Sequence, residues 1–141
     1  MAKTSLLEWI MRQEKVVITY GTFDIFHIGH LNLIKRLKSI ADKLIVAVST
    51  DEFNEMKGKV STVPFKDRKE ILEAIKYIDL VIDEVSWEQK VADIKKYNVS
   101  AFAIGDDWQG HFDFLKEHCA VLYLERTAGV STTQIKESIK K

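Results

Sequence analysis

One cysteine, one proline and six glycines in 141 residues narrow the field before any motif is read. Cys119 stands alone, so no intrachain disulfide can form, and although His118 is adjacent, no metal-ligand motif surrounds the pair. A reducing cytoplasm is the expectation. With so little proline and glycine there is no linker-like stretch at which to divide the chain, and no internal repeat. Pro64 is placed to start a helix, where its missing N–H costs little. Neither sign of charge is in excess. The 21 Lys and Arg match the 21 Asp and Glu, so no global field favours nucleic acid or an anionic membrane, and any anion site must be local. No apolar run approaches the roughly 20 residues that span a bilayer. The start, Met1-Ala2-Lys3-Thr4-Ser5, lacks a signal-peptide core and cleavage site, so a soluble, unsecreted protein without membrane insertion is expected.

What is present is a chain 46% hydrophobic and 30% charged, enough for one globular domain with its own core. Lys15–Tyr20 and Lys43–Ser49 are β-branched and apolar and read as buried strands. Between them Leu31, Leu33, Ile34, Leu37 and Ile40 recur at helical spacing, with Lys35, Arg36 and Lys38 on the other side. This is a parallel βαβ crossover. The alternation continues with a helix around 67–75, a strand at 80–82, a helix around 87–97 and a strand at 101–104, then a short helix near 112–117, a strand at 120–124 and a last helix from about 132 to 140. The pattern predicts a single doubly wound, parallel-sheet (Rossmann-like) α/β domain over 15–141. Residues 1–14 form an N-terminal extension in which Leu6, Leu7, Trp9, Ile10 and Met11 suggest a short amphipathic helix, either packed against the domain or free to bind a partner.

In such sheets ligands bind beyond the carboxyl ends of the strands, where four polar segments fall: 20–30, 50–59, 105–108 and 126–133. The first is Gly21-Thr22-Phe23-Asp24-Ile25-Phe26-His27-Ile28-Gly29-His30, a strand-to-helix turn. Its end is a helix N-terminus, where unpaired N–H groups and the positive end of the helix dipole attract anions. His27 and His30 flank Gly29 with no third Cys, Asp or Glu at ligand spacing, so no metal ligand is assigned to them. A capping or core role is the bland alternative. The last segment, Arg126-Thr127-Ala128-Gly129-Val130-Ser131-Thr132-Thr133, offers a planar multidentate donor, a glycine and three hydroxyls around a second helix start. Ser131 or Thr132 is also a good N-cap, which accounts for part of the run. Two helix N-termini in one crevice suit a triphosphate.

His27-Ile28-Gly29-His30 matches the HxGH motif of the nucleotidyltransferase superfamily, and 126–133 resembles the RTxG(I/V)STT segment of its cytidylyltransferase branch. Tyr20–Asp24, Ser49–Asn54, Trp87-Glu88-Gln89-Lys90, Gly105–Trp108 and Phe112–Lys116 are similar to the bacterial glycerol-3-phosphate cytidylyltransferase family, so the resemblance spans roughly 15–138. It implies transfer of a cytidylyl group from CTP to sn-glycerol 3-phosphate, by in-line attack on the α-phosphorus and without a covalent enzyme intermediate, giving CDP-glycerol and pyrophosphate. It also implies Mg2+ bridging the CTP phosphates with no dedicated protein cage, a cytoplasmic homodimer, and a product used in teichoic acid or capsule biosynthesis.

Carried over by motif, His27, His30, Lys57 and Arg126 are the catalytic candidates. The CTP side comprises Thr22, Phe23, His27, Ile28, Gly29, His30, Lys59, Asp107, Arg126, Thr127, Ala128, Gly129, Val130, Ser131, Thr132 and Thr133. The acceptor side comprises Lys57, Arg68 and Lys90. Outside the motif context these lysines would be ordinary solvated charges, Asp106 and Asp107 turn formers, and Asp24 a brace for its turn. The chain departs from the family pattern in its N-terminal segment, in Ala128 where an acidic residue is common, and in the stretch 61–65 beside the acceptor lysines. Ribitol, ethanolamine or choline phosphate as acceptor, adenylyl transfer on the same turn, and a non-catalytic nucleotide sensor are the alternatives.

Overall fold

Apolar residues placed on both faces of each strand drive the architecture. The computed structural model describes residues 6–7, 14–125 and 132–140. Five strands, Val16–Gly21 (β1), Lys43–Ser49 (β2), Leu80–Glu84 (β3), Ala101–Gly105 (β4) and Ala120–Leu124 (β5), form one sheet in the order β3-β2-β1-β4-β5. Every pairing is parallel. Helices lie at Ile28–Ser39 (α1), Asp51–Met56 (α2), Phe65–Glu73 (α3), Gln89–Lys96 (α4) and Thr132–Lys140 (α5), with 3₁₀ turns at Asp106–Trp108 and Asp113–Glu117. This is the doubly wound α/β arrangement expected from the sequence.

Strand alternation divides the core. Val17, Leu44, Val46, Val48, Ala101 and Ala103 pack with Ile34 and Leu37 of α1 and Leu72 of α3. Val16, Ile18, Tyr20, Ile45, Ala47, Phe102 and Ile104 pack on the other face with Ile94 of α4 and with Phe112, Leu115 and Cys119. Removing the Val, Leu, Ile and Phe side chains among these from water stabilises the fold by about 1.5–3 kcal/mol each. The chain leaves β1 towards β2 and β3, then returns to the other side through β4. The topological switch therefore lies between β1 and β4, with Gly21 and Gly105 at its carboxyl end.

One helix was not foreseen. Residues 51–56 fall in the expected 50–59 loop but form α2, because the Thr50 side chain accepts the Phe53 N–H at 3.1 Å and Asp51 and Glu52 occupy the first turn, where the dipole favours them. Six residues are too few to show a helical period. Lys59 N–H bonds Asn54 C=O and Gly58 N–H bonds Glu55 C=O, a Schellman ending in which Gly58 takes φ +76°. Leu6 and Leu7 are helical and exposed; Trp9, Ile10 and Met11 lie outside the described residues. No described helix is long and apolar enough to cross a membrane.

Arg68, expected on the acceptor side, is instead a brace beneath the site. It is 1% exposed. Its Nε donates to Val63 C=O at 2.8 Å, its Nη1 to Thr22 C=O at 2.9 Å and Ser49 C=O at 2.7 Å, and its Nη2 to Asp51 Oδ1 at 2.8 Å. Asp51 also accepts the Phe65 N–H, standing in for the side-chain cap that Pro64 cannot give α3. With its donors committed to the ends of β1 and β2, the guanidinium is not aimed at a ligand. Arg68→Lys is expected to lower stability to urea by about 2–4 kcal/mol, since an ammonium cannot serve four fixed acceptors from a buried position. A variant of wild-type stability that had lost acceptor phosphate affinity would restore the clamp.

Candidate active site

The carboxyl ends of the strands open into one cavity of about 570 Å³. Of the residues expected from sequence, Thr22, Phe23, His30, Lys57, Lys59, Lys90, Asp107, Thr132 and Thr133 line it. His27, Ile28 and Gly29 form the adjoining helix start without lining the cavity, and Arg68 is away from it. The 126–131 part of the expected phosphate segment lies outside the described residues, which takes in Arg126, Thr127, Ala128, Gly129, Val130 and Ser131.

The turn after β1 is held by contacts at each residue. Gly21 is required by close approach, since a Cβ there would meet the Phe23 ring at 2.9 Å. Phe23 and Ile25 both take positive φ, +53° and +48°, a strained conformation for non-glycine residues, particularly a β-branched one. Asp24 between them is 5% exposed and over-determines the turn. It accepts the N–H groups of Thr62 and Val63 at 2.8 and 2.9 Å and the Lys136 ammonium at 2.7 Å. Burial alone would raise its pKa, but Lys136 and the two N–H groups bring it below the ordinary 3.8.

His27 and His30 cap one another. His27 is the N-cap of α1 and its Nδ1 accepts the Gly29 N–H at 3.0 Å, while His30 Nδ1 accepts the His27 N–H at 3.2 Å. This is a capping box built from two imidazoles, with the rings stacked at 3.8 Å. Because each Nδ1 is an acceptor, the neutral rings carry their protons on Nε2. His27 Nε2–H then donates to Thr132 Oγ1 at 3.2 Å, whose own hydrogen goes to Asp24 C=O at 2.9 Å. His30 lines the cavity, edge-on to Phe23. Burial lowers the pKa of His27 below 6.5. Burial and then His27 bring His30 down to about 4, with Asp24 opposing. Both are neutral hydrogen-bond donors at neutral pH.

Across the cavity, Lys57 and Lys90 sit in an aromatic box. Lys57 Nζ lies 4.4 Å from the Phe53 centroid, and Lys90 Nζ lies 4.6 Å from Tyr20 and 5.2 Å from Trp87. Lys90, only 2% exposed, donates to Glu84 Oε2 at 3.0 Å. Lys57 donates to Ser49 Oγ at 3.1 Å, and that hydroxyl donates to Glu84 Oε1 at 2.9 Å. Burial depresses the Lys57 pKa, opposed by Glu84. Lys59, beyond Gly58, is exposed. Glu84, Ser49, Trp87 and Lys136 were missed as site residues. The one clue to Glu84 was a carboxylate closing an apolar strand six residues before Lys90.

A parallel sheet with an HxGH helix start at its switch point, facing two buried or half-buried lysines across one cavity, defines the nucleotidyltransferase class of α/β domain. Residues 18–138 match the family described as cytidylyltransferase-like, and the chain belongs to that family. It is 57% identical over 125 residues to the glycerol-3-phosphate cytidylyltransferase of Bacillus spizizenii, covering 89% of this chain and 97% of that protein. The enzyme of the same name from Staphylococcus aureus is 53% identical over 125 residues, covering 89% and 95%. Among solved structures, a lipopolysaccharide core biosynthesis protein from Thermoplasma volcanium superposes with a TM-score of 0.68 at 20% identity, over 81% of this chain and 98% of that one, a likeness of fold.

The low His30 pKa has a testable sign. A group that binds its proton more weakly folded than unfolded makes the unfolded state the better proton acceptor, so stability falls as pH drops. The loss should run from about 6.5 to about 4, above the range in which Asp24, Asp51 and Asp79, all held below 3.8, lose theirs. Thermal unfolding of wild type and His30→Gln across pH 4–7 should show a flatter dependence in the variant. Parallel curves would contradict the assignment.

Proposed function

We infer that this chain transfers a cytidylyl group from CTP to sn-glycerol 3-phosphate, giving CDP-glycerol and pyrophosphate. The observation that carries the inference is one cavity with the His30 imidazole at a helix N-terminus on one side and the Lys57 and Lys90 ammoniums on the other. Two phosphates can thus be brought together without a protein nucleophile between them. The names of the relatives at 57% and 53% identity supply CTP and glycerol phosphate as the substrates.

In this reading an acceptor phosphate oxygen, already ionised near neutral pH, forms a bond to the α-phosphorus as the bond to the β-phosphate oxygen breaks. Little general-base help is needed, so positioning and charge stabilisation dominate. The Nε2–H groups of His27 and His30 donate to phosphate oxygens as charge builds, His27 exchanging its Thr132 partner for the substrate. Neutral donors with fixed tautomers suit this role, because each Nε2–H is already in place when charge develops and needs no change of tautomer. Thr22 and Phe23 border the nucleotide, Lys59 meets the CTP phosphates at the cavity mouth, and Asp107 accepts from the cytosine amino group. Arg126 with the 127–133 segment is proposed to hold the β- and γ-phosphates. Lys57 and Lys90 receive the acceptor phosphate.

Mg2+ is proposed to arrive with the triphosphate. Among the described residues no three His, Cys, Asp or Glu come together as a metal-binding group, and Asp24 is committed to Lys136 and two N–H groups. An ion whose shell is completed by phosphate and water needs few protein ligands. When bound, it supplies charge neutralisation between phosphate oxygens. A cytoplasmic location and a homodimer belong to the same proposal, the first supported by the single buried Cys119, the second by the family resemblance.

A pyrophosphate-release assay with magnesium, sn-glycerol 3-phosphate and either CTP or ATP, with products identified by mass, is expected to give CDP-glycerol from CTP alone. Turnover with ATP instead would defeat the cytidylyl assignment. His27→Ala or His30→Ala should each lower kcat by about 10²–10³-fold, the usual cost of one transition-state donor, with native circular dichroism. Near-normal turnover in either would remove that histidine from the chemistry.

A further inference from the structure

Glu84 belongs to no part of the motif set, yet both acceptor-side lysines depend on it. Ser49 and Glu84 are register partners on β2 and β3, so their side chains meet at the floor of the cavity. One carboxylate oxygen takes Lys90 directly at 3.0 Å and the other takes the Ser49 hydroxyl at 2.9 Å, which in turn holds Lys57. Ser49, Glu84 and Lys90 are at most 3% exposed. Such burial of a carboxylate and an ammonium is costly unless the pair is well made. A purely structural site would be served as well by apolar residues. Here the ion pair opens onto the cavity, and two cations share one anion.

We propose that Glu84 is a positioning residue for the reaction, a single counter-ion that aims the Lys57 and Lys90 ammoniums at the acceptor phosphate and leaves one positive charge for that phosphate to neutralise. The proposal rests on the acceptor reading given above. Its geometry explains why a strand ending in a buried carboxylate lies beneath two lysines that must bind an anion. An unanchored Lys57 or Lys90 would be free to lie along the aromatic walls, and the incoming phosphate would have to order it. The titratable and charged groups facing Lys90 are Glu84 from β3, Lys57 from the end of α2, and Tyr20 of β1, whose hydroxyl donates to Asp93 of α4 at 2.7 Å; the Trp87 and Phe112 rings lie 5.2 and 5.4 Å from its ammonium. None but Glu84 offers Lys90 a carboxylate at ion-pair distance among the described residues.

The test is Glu84→Gln, which keeps the shape and removes the charge, with Ser49→Ala as the milder companion that cuts only the link to Lys57. Initial rates are measured against both substrates from pH 6 to 10, with CTP protection against thermal unfolding as the check on folding. In Glu84→Gln the KM for sn-glycerol 3-phosphate should rise at least about tenfold while that for CTP changes less than about twofold. The basic limb of kcat/KM for the acceptor should move to lower pH, because removing the Glu84 charge removes what opposes the burial-driven lowering of the Lys57 pKa. Ser49→Ala should raise the acceptor KM by less and leave that limb in place. If Glu84→Gln fails to fold, an unchanged acceptor KM in Ser49→Ala overturns the proposal; so does a Glu84→Gln enzyme whose two KM values rise together or whose pH profile stays put. Wild-type protein that makes no CDP-glycerol overturns the acceptor reading, and this proposal with it.

Discussion

Everything at the β1–α1 end of the cavity depends on two imidazoles that cap one another at the start of α1. Each Nδ1 is spent on a backbone N–H of the helix start, which fixes both tautomers and leaves both Nε2–H groups as donors. The stacked rings cannot comfortably share a charge at 3.8 Å, so burial and mutual repulsion favour the neutral pair. The rest of the turn serves that arrangement. Phe23 packs over Gly21 and against His30, the Asp24 backbone receives Thr132, and the Asp24 carboxylate ties α5 through Lys136. The helix start is therefore a rigid donor array before any ligand enters.

Around that array the protein buries charge in places where hydrophobic residues would be easier to accommodate. Arg68 with Asp51, Lys90 with Glu84 and Lys136 with Asp24 each link the loops at the carboxyl end of the sheet. A buried or half-buried pair adds little net stability, since desolvation offsets much of the attraction. Each does set where a loop lies. Arg68 fixes the ends of β1 and β2 relative to α3, and Asp24 fixes the 62–63 segment against the turn. The cavity thus has walls defined by ion pairs and a floor defined by strand register.

Strand and crossover periodicity made the sheet legible from sequence, because apolar runs such as 43–49 and 120–124 are bounded by polar residues and leave few alternative registers. The turn at 21–30 was legible because its residue types have few other uses in that order. Helix α2 was not, since its cap and buried Phe53 act over too few residues to make a pattern. Lysine and arginine letters do not reveal burial. Lys59, Lys90 and Arg68 carry the same kind of charge in the sequence, yet Lys59 is exposed at the cavity, Lys90 is buried in its lining against Glu84, and Arg68 lies away from it, held by three backbone carbonyls and Asp51. The partnership of Glu84 with Ser49 was not legible, because it is a matter of register between strands and joins residues 35 apart in sequence.

The central claim is that His27 and His30 stand ready as neutral Nε2–H donors. The direct measurement is the imidazole ¹⁵N chemical shifts of the free protein, labelled at histidine and assigned by single His→Gln variants, followed from pH 8 to 4. Both rings should show protonated Nε2 and unprotonated Nδ1 at neutral pH, with His30 holding that state until about pH 4. An Nδ1–H tautomer at either residue, or an imidazolium at pH 7, would contradict the account.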